Sequence, residues 1–531
     1  MYRRGIHFGR WAGLASAAAV LATTGTAQAP SIQALWSFPS DGSWQPETVA
    51  LGADGSEVFS EYGSYLNERV LLSVHDSDPP TPVWSDGEQL WNHYRAVDSA
   101  SQGSTHAALH QEYIDSTMTW RRPVLRKYST GSDTPDWVYE SSVLISSSSN
   151  ADVRVSTDGS QVTAVVYDVS GGQTRLSVFD ASSPTPTSEF SVDTGGAFEA
   201  FEVSGDGKVI ALRSQLKLSV VDLESGAVRL SKYYFYSPFA GGLSLSGDGS
   251  VVAMATGSEL QVFEWNGSAY GEPALATLPS GGYSPAVAVS GDGSRVAAGT
   301  NYYNQQGDFR VQCWDVEGLV NRLDHATSAP GTTPNVVSAL RLSADGDTIA
   351  VGLWGDEGET VPELLVLSPD HPGDLASADL PGSVMDMDLS PDGRRVVVAA
   401  KGAHATDFGN GGGLYLFQVG DRDFRLHGAP QIGATVTFSQ QHEAEAYGVV
   451  LSAPQLASEP QVFPGVGSLL LDAGSLSVLP SIVPTDGNGV AYVPHQIPNE
   501  ASLVGTTSYY QGFGLRPRKL SEDFVRVTVL P

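Results

Sequence analysis

The sequence predicts an all-β protein, a β-propeller followed by a small C-terminal β-sandwich domain. Three observations support this prediction: one hairpin turn recurs along most of the chain, short alternating strands follow each turn, and helical periodicity is absent from the sequence. The turn is clearest at Ser390-Pro391-Asp392-Gly393, between an apolar strand and a Val-rich strand. Asp-Gly between two alternating runs favours a tight hairpin, so each copy predicts a pair of antiparallel strands.

The turn recurs eight times, and its glycines lie 42 to 56 residues apart, a spacing typical of propeller blades. Six copies have the sequence Ser-x-Asp-Gly, whereas the second is degenerate, with Ala100-Ser101-Gln102-Gly103. The repeat predicts eight blades, or seven if the degenerate copy is an insertion within a blade. The turn glycines are Gly55, Gly103, Gly159, Gly207, Gly249, Gly293, Gly346 and Gly393.

A third strand follows each hairpin, and a weaker fourth strand precedes the next one. Residues 175–180 and 309–315 alternate between apolar and polar side chains, as half-buried strands do. Leu35-Trp36-Ser37 resembles the fourth strand at Val83-Trp84-Ser85, yet no earlier strands precede it. We therefore expect this N-terminal segment to complete the last blade, which would leave the ring without an open sheet edge.

Residues 1–29 have the pattern of a signal peptide. Three arginines form a basic start, a short apolar run follows, and Ala27-Gln28-Ala29 is a small-x-small cleavage site. The apolar run is shorter than the roughly 20 residues that a bilayer needs, which argues against a membrane anchor. We expect cleavage near Ala29, no membrane insertion and a secreted or periplasmic protein, with cell-surface association as an alternative; the export route stays open.

The composition excludes two partner classes and one source of stability. The formal net charge is −30, and removal of a leader with three arginines and no acid makes it about −33. Such a surface repels nucleic acid and anionic membranes. Cys313 is the single cysteine, so an intrachain disulfide is impossible and stability must come from the buried core. The oligomeric state stays open.

The Ser-Pro-Asp-Gly turn with Val-Val-Val-Ala after it resembles the repeats of WD40-like and translocation-protein-B-like bacterial propellers. The resemblance covers about residues 31–419 and implies a propeller over 30–424 without implying an activity. Cys313-Trp314-Asp315 is similar to the Trp-Asp of WD40 repeats, but the other blades lack it. The hydrogen-bonded tetrad of that family is therefore not implied here.

From about Arg425 the repeat ends, and short Val- and Leu-rich strands broken by Pro and Gly continue to Pro531. This pattern predicts a β-sandwich of about 100 residues over 425–531. Residues 504–512 resemble a C-terminal domain found on many exported bacterial proteins. That resemblance implies no activity.

The predicted binding residues lie in the loops between the second and third strands of the repeats. These loops would form the rim opposite the Asp-Gly turns, and they are rich in aromatic and polar residues. Loops on a rigid scaffold carry specificity, and Tyr and Trp supply contact area. The alternative is that the rings pack over the loop stems. The predicted ligand-binding residues are Tyr62, Tyr65, Tyr113, Trp120, Tyr302, Tyr303, Trp354 and His404.

The sequence predicts no catalytic set, metal site or cofactor. The segment from His442 to Ala446 starts like a zinc-protease helix, but Ala446 stands where the second His ligand is needed. A Gly-x-Ser-x-Gly nucleophile elbow is absent from the sequence. The isolated Asp of each turn offers too few oxygens for calcium.

Three functions follow as hypotheses. The first is a non-catalytic exported propeller that binds or scaffolds an extracellular glycan or protein. The second is an enzyme, such as a lactonase, glycan lyase or glycosidase, whose residues come singly from different blades. The third is a cell-surface or matrix component attached through its C-terminal domain. A His–acid pair at the channel mouth would favour the enzyme. Its candidate residues are Glu68, Asp115, Asp356, Glu357 and His404.

Overall fold

The chain forms two compact units, one within residues 30–419 and one within residues 420–531. The structure is a computed structural model. It describes residues 34–39, 44–52, 57–64, 69–75, 81–86, 93–100, 102–114, 120–146, 151–234, 242–279, 282–302, 308–327, 335–356, 361–369, 374–404, 411–419, 424–427, 432–441, 446–485, 490–504, 506–516 and 518–529. The predicted signal peptide lies outside these residues.

The described residues of the first unit form eight antiparallel sheets, numbered here in chain order. Strand β1 (Ala34–Pro39) belongs to the last of them. Sheet 1 contains β2 (Trp44–Leu51), β3 (Glu57–Ser64), β4 (Arg69–His75) and β5 (Thr81–Asp86). Sheet 2 contains β6 (His93–Ser99), β7 (Thr105–Tyr113), β8 (Trp120–Ser129), β9 (Trp137–Glu140) and β10 (Ile145–Ser146). Sheet 3 contains β11 (Ala151–Val155), β12 (Gln161–Asp168), β13 (Gln173–Asp180) and β14 (Pro186–Val192). Sheet 4 contains β15 (Phe198–Val203), β16 (Val209–Ser214), β17 (Lys217–Asp222) and β18 (Val228–Tyr233).

The remaining sheets of this unit repeat the same four-strand order. A short 3₁₀ turn, Glu317–Leu319, lies within sheet 6 between its third and fourth strands. Sheet 5 contains β19 (Leu243–Leu245), β20 (Val251–Thr256), β21 (Glu259–Glu264) and β22 (Ala274–Thr277). Sheet 6 contains β23 (Gly282–Val289), β24 (Arg295–Tyr302), β25 (Phe309–Asp315) and β26 (Val320–Thr327). Sheet 7 contains β27 (Val337–Leu342), β28 (Ile349–Leu353), β29 (Leu364–Leu367) and β30 (Asp374–Ala378). Sheet 8 contains β31 (Val384–Leu389), β32 (Arg395–Ala400), β33 (Gly413–Gln418) and β1.

The sheets follow one another around a ring. The first strand of each sheet contacts the first strand of the next, and β31 of the last sheet contacts β2 of the first. Strand β1 pairs with β33, with Ser37 opposite Tyr415, and so forms the outer strand of sheet 8 as expected for the N-terminal segment. The all-β propeller prediction is confirmed. The count of eight blades, with seven as the alternative, stays a prediction.

The apolar core consists of clusters that lie between neighbouring sheets. Among the described residues, each pair of adjacent sheets shares one such cluster, including the pair formed by sheets 8 and 1. In the last case Val49 and Val58 of sheet 1 pack with Val397 and Leu414 of sheet 8. Burial of both faces of the sheets explains why their strands are nearly continuous in Val, Leu and Ala.

Each well-formed Ser-x-Asp-Gly segment is a type I turn whose last residue is left-handed. In the last copy Gly393 has φ 72° and its N–H donates to the Ser390 carbonyl at 2.8 Å. The Ser390 hydroxyl donates to the Asp392 carboxylate at 2.6 Å, and the Arg395 N–H donates to the Ser390 hydroxyl oxygen at 2.9 Å. The turn therefore orders itself through its own Ser and Asp side chains.

Backbone hydrogen bonds join these turns to one another along the rim. Gly247 N–H donates to the Gly291 carbonyl and Asp292 N–H to the Ala344 carbonyl, each at 2.8 Å. A Cβ at Gly247 would lie 2.7 Å from the Gly291 oxygen, so the second position of this copy must be glycine. The close approach explains why Ser-Gly-Asp-Gly is the commonest form of the motif in this chain.

The degenerate second turn is flanked by a buried polar network between sheets 1 and 2. His106 Nε2 lies 3.1 Å from Glu57 Oε2, and His106 Nδ1 lies 2.7 Å from the Ser99 hydroxyl. The imidazole stacks on Phe59 at 5.2 Å between ring centroids, and all four side chains are buried. This network joins two sheets at the place where the repeat lacks its Asp.

The described part of the second unit contains three antiparallel sheets and a 3₁₀ turn, Ala501–Leu503. Its main core lies between the three-stranded and four-stranded sheets, where Phe424 stacks on Phe438 at 5.4 Å. The sandwich assignment stays a prediction. The strands are β34 (Phe424–His427), β35 (Thr435–Gln441) and β40 (Val490–Gln496) in one sheet; β39 (Ser477–Pro484), β36 (Tyr447–Ala453), β41 (Thr507–Leu515) and β42 (Arg518–Thr528) in the second; and β37 (Leu456–Phe463) and β38 (Gly467–Leu471) in the third.

Within the described residues of both units, we find no helix with the length and apolar character to cross a membrane.

Candidate functional site

The second strands end, and the third strands begin, at the end of the sheets opposite the Ser-x-Asp-Gly turns. On sheets 2 to 4 this rim carries a run of exposed large apolar side chains, called the apolar rim below. Exposed apolar side chains that lie together, as Trp120 and Leu144 do, mark a contact site for a ligand or partner. The residues of the apolar rim are Ile114, Trp120, Leu144, Val169, Leu216 and Tyr233.

An open groove of about 400 Å³ lies on the apolar rim between sheets 2 and 3, called the Trp120 groove below. Trp120 begins β8 and is 39% exposed, so its ring is available to a ligand. Arg175 of β13 supplies a half-exposed guanidinium on the sheet 3 side. The residues that line the groove are Trp120, Ser142, Val143, Leu144, Asp168, Ser170 and Arg175.

Asp168 organises the loop on the sheet 3 side of the groove. Its Oδ1 accepts hydrogen bonds from the Ser170 N–H at 3.0 Å, the Ser170 hydroxyl at 2.6 Å and the Gly171 N–H at 3.1 Å. Its Oδ2 lies 3.5 Å from Arg175 Nη2. The hydrogen bond from the Ser170 side chain and those from the loop amides hold the pKa of this carboxyl below its usual range. The loop is therefore preorganised and charged at neutral pH.

Beside the groove, Arg121 is held against Tyr113 within sheet 2. The guanidinium carbon lies 4.6 Å from the centre of the Tyr113 ring, and Nη2 donates to the phenol oxygen at 2.5 Å. Nη1 donates to Gln111 Oε1 at 3.0 Å. Arg121 therefore covers one face of the Tyr113 ring through a cation–π contact.

A second arrangement lies on the same rim of sheets 7 and 8. His404 Nε2 lies 3.0 Å from Glu363 Oε1, and the Leu380 N–H donates to Glu363 Oε2 at 2.7 Å. The Glu363 side chain is fully buried, whereas His404 is one-fifth exposed. Burial raises the pKa of Glu363 well above the usual range of a carboxyl. The pair therefore places a buried carboxyl within hydrogen-bond distance of a partly exposed imidazole.

The described members of the predicted binding set are spread over several sheets. Trp120 lies in the groove, whereas Tyr302, Trp354 and His404 belong to sheets 6, 7 and 8 and do not line it. Trp354 uses its backbone carbonyl to accept a hydrogen bond from the Ser383 hydroxyl at 2.7 Å. Two further predicted binding residues, Tyr65 and Tyr303, lie outside the described residues.

Tyr62, another of the predicted binding residues, lies in the core. Its side chain is 5% exposed and packs with Val49 and Leu414 between sheets 1 and 8. Burial raises the pKa of its hydroxyl.

Sequence reasoning missed Asp168, Arg175 and Glu363. The segment Asp168-Val169-Ser170-Gly171-Gly172 has the composition of a side-chain-ordered turn, but that pattern occurs in many loops. Glu363 stands out as a carboxylate at the start of the apolar run 364–367. Neither signal shows which neighbouring sheet the residue will face.

The described residues contain no group of three or more His, Cys, Asp or Glu side chains arranged to hold a metal ion. Glu363 and His404 supply two ligand types, which alone fall short of a zinc or calcium site.

Comparisons with known proteins give the fold and nothing finer. No family model matches the chain, and no curated protein matches it in sequence. Solved structures that are similar to it are WD40 β-propellers. The β-propeller domain of Cps50 (Swd1) from Myceliophteria thermophila is 11% identical, covers 60% of this chain and 96% of that one, and has a TM-score of 0.40. Sqt1 from Chaetomium thermophilum is 15% identical, covers 74% of this chain and 100% of that one, and has a TM-score of 0.49.

Proposed function

We propose that the protein is an exported, non-catalytic β-propeller that binds or scaffolds an extracellular ligand, a glycan or a protein. We further propose that its repeats are of the bacterial Ser-Pro-Asp-Gly type and that a C-terminal β-sandwich follows them. The observation that carries the binding function is the Trp120 groove, in which an exposed indole lies beside an ordered Asp168–Arg175 pair. The predicted signal peptide supports export.

The groove has the features that ligand sites share. It combines apolar contact area from Trp120 and Leu144 with a few fixed polar groups, which give orientation. Asp168 is held by three hydrogen bonds within its own loop, so little ordering free energy is spent when a ligand arrives. Trp is also the residue type most often found at energetic centres of interfaces.

The test is an array of glycans and peptides incubated with the full chain and with Trp120→Ala. We expect the wild type to retain specific ligands and Trp120→Ala to lose at least about tenfold in affinity, because an exposed ring contact is removed while the core stays intact. Tyr447→Ala, which removes a 42% exposed ring from the second unit, is the matched control. Equal binding by all three proteins would contradict the proposal.

A second candidate function is supported by the Glu363–His404 pair. A buried carboxyl with a raised pKa beside an accessible imidazole is a feature of acid–base sites, so a propeller-borne enzyme remains the runner-up. The same array incubations distinguish the two functions. Cleaved or eliminated sugars, detected by mass spectrometry, would favour the enzyme, and intact ligands would favour binding.

A further inference from the structure

The apolar rim continues beyond the Trp120 groove to a second aromatic position on sheet 4. Tyr233 ends β18 and is 63% exposed, and its hydroxyl donates to Asp193 Oδ2 at 3.3 Å. Lys217 Nζ lies 5.0 Å from the centre of the Tyr233 ring and donates to Asp193 Oδ2 at 3.1 Å. An aromatic ring thus again lies beside a carboxylate and a cation that are paired with each other.

Short, ordered segments connect the two positions across sheet 3. Thr174 lies in β13, directly after the Asp168 loop. Its hydroxyl is hydrogen bonded to the Thr194 hydroxyl at 2.8 Å, and both side chains are fully buried. Gly195 then lies against sheet 4, where a Cβ at this position would be 3.5 Å from Lys217 and 3.8 Å from Tyr233. The chain segments between the two aromatic positions are therefore held in place by hydrogen bonds and packing within sheets 3 and 4.

The charges along this path are balanced within a strongly acidic protein. Asp168 is paired with Arg175 in the groove, and Asp193 is paired with Lys217 at the second position. Hydrogen bonds hold the pKa of both carboxyls below the usual range, led by Ser170 for Asp168 and by the Gly195 N–H for Asp193. A ligand with a large charge of either sign gains little from such pairs, whereas a polar uncharged ligand can hydrogen bond to the exposed member of each, Arg175 in the first and Asp193 in the second.

We propose that the apolar rim of sheets 2 to 4 binds a linear neutral glycan chain, with one subsite at the Trp120 groove and a second at Tyr233. A neutral sugar ring presents C–H groups on its face and hydroxyls at its edge. It can therefore stack on an aromatic ring while its hydroxyls hydrogen bond to the exposed charged group beside that ring, Arg175 at the first position and Asp193 at the second. This inference rests on the proposed binding function and adds the ligand class and the direction in which the chain lies.

The test is titration calorimetry of the full chain with neutral disaccharides and hexasaccharides of linear glucans, xylans and mannans. A hexameric uronate and array-selected peptides serve as the charged and proteinaceous comparisons. We expect at least one hexasaccharide to bind about tenfold more tightly than its disaccharide, because only the longer chain reaches both subsites. Tyr233→Ala should remove that gain and leave disaccharide affinity unchanged, whereas Trp120→Ala should weaken both.

Val228→Ala is the matched control, because Val228 is 54% exposed at the opposite end of the same strand β18. Thermal melting of each variant confirms that it folds. Equal affinity for short and long sugars, unaffected by Tyr233→Ala, would overturn the two-subsite inference while leaving a Trp120-dependent binding function in place. Preference for the uronate or for peptides would overturn the ligand class. Failure of every probe to bind would remove the proposed function as well.

Discussion

At the residue scale, the glycines of the hairpin turns show how local chemistry and packing combine. Gly393 has φ 72°, a backbone conformation that a side chain disfavours, and the Thr348 side chain of the neighbouring sheet packs against the same turn. Gly257, in the turn after β20, has φ 58° but no heavy atom within 4 Å of a Cβ placed there. The pair therefore separates backbone strain from crowding.

Gly393→Ala should destabilise the fold more than Gly257→Ala. Both substitutions impose the left-handed cost of about 1–2 kcal/mol on a residue with a Cβ. Only Gly393→Ala also places that Cβ 2.8 Å from the Thr348 Cβ, which forces sheets 7 and 8 to shift. Urea unfolding of both variants measures the difference, and equal losses would show that the turn does not pack tightly on its neighbour.

The predicted binding residues illustrate what residue type alone can indicate. The sequence places Tyr62 and Trp120 alike, as aromatic residues in the predicted loops between second and third strands. The structure buries Tyr62 between two sheets and exposes Trp120 in a groove. The difference depends on the neighbouring sheet, which comes from a distant part of the chain or from the next repeat.

At the element scale, strand β1 completes the last sheet of the ring. It pairs with β33 along Ser37–Tyr415 and Phe38–Leu414 and thereby covers the outer edge of sheet 8. The side chain of Phe38, in the same strand, also packs against the core shared by sheets 8 and 1. An uncovered strand edge is a template for association with other chains, so this strand protects the fold as well as completing it.

Removal of β1 should lower the thermal midpoint by several degrees and promote association. We compare a variant that starts at residue 40 with one that starts at residue 30, because the second lacks the predicted signal peptide but keeps β1. Differential scanning calorimetry and light scattering make the comparison. Identical midpoints and monodispersity in the two variants would contradict a closing role for β1.

At the scale of the whole molecule, carboxylates on the first strands join neighbouring sheets around the centre of the ring. Asp388 Oδ2 accepts the Leu51 N–H at 2.9 Å across sheets 8 and 1, and Asp98 Oδ2 accepts the Val155 N–H at 2.7 Å across sheets 2 and 3. Enclosure by the surrounding sheets raises the pKa of Asp98 to about 7, although Arg154 opposes that shift. The pKa of Asp152 is raised by burial to about 6.

These raised pKa values predict that stability falls as the pH rises from about 4 to about 7. An unfolded Asp titrates near pH 3.9, so between about pH 4 and about pH 7 the folded state keeps a proton on Asp98 that the unfolded state has lost. The stability that this bound proton contributes is fully lost above about pH 7. Asp98→Asn should reduce this slope while an amide oxygen still accepts the Val155 N–H. Urea unfolding at about pH 5 and about pH 8 gives the free energy of unfolding at each pH, and the difference measures the slope.

Asp180→Asn provides the control. Hydrogen bonds from Ser182 hold the pKa of Asp180 below its usual range, so its contribution to stability is lost only as the pH falls below about 4. Because that contribution is constant between about pH 5 and about pH 8, Asp180→Asn should leave the slope unchanged. An unchanged slope in Asp98→Asn would contradict the role assigned to the enclosed carboxyl.

The sequence by itself determined the all-β propeller, the position of its hairpin turns and the expectation that residues 35–37 complete the last sheet. These features are local or repetitive: alternation sets the strands, and Ser-x-Asp-Gly sets the turns through its own side chains. Only the tertiary structure decided that Trp120 meets Asp168 and Arg175, and that Glu363 meets His404. Such sites form where two neighbouring sheets face each other. The repeat pattern is the same in every sheet, so it does not indicate which side chains will lie close together.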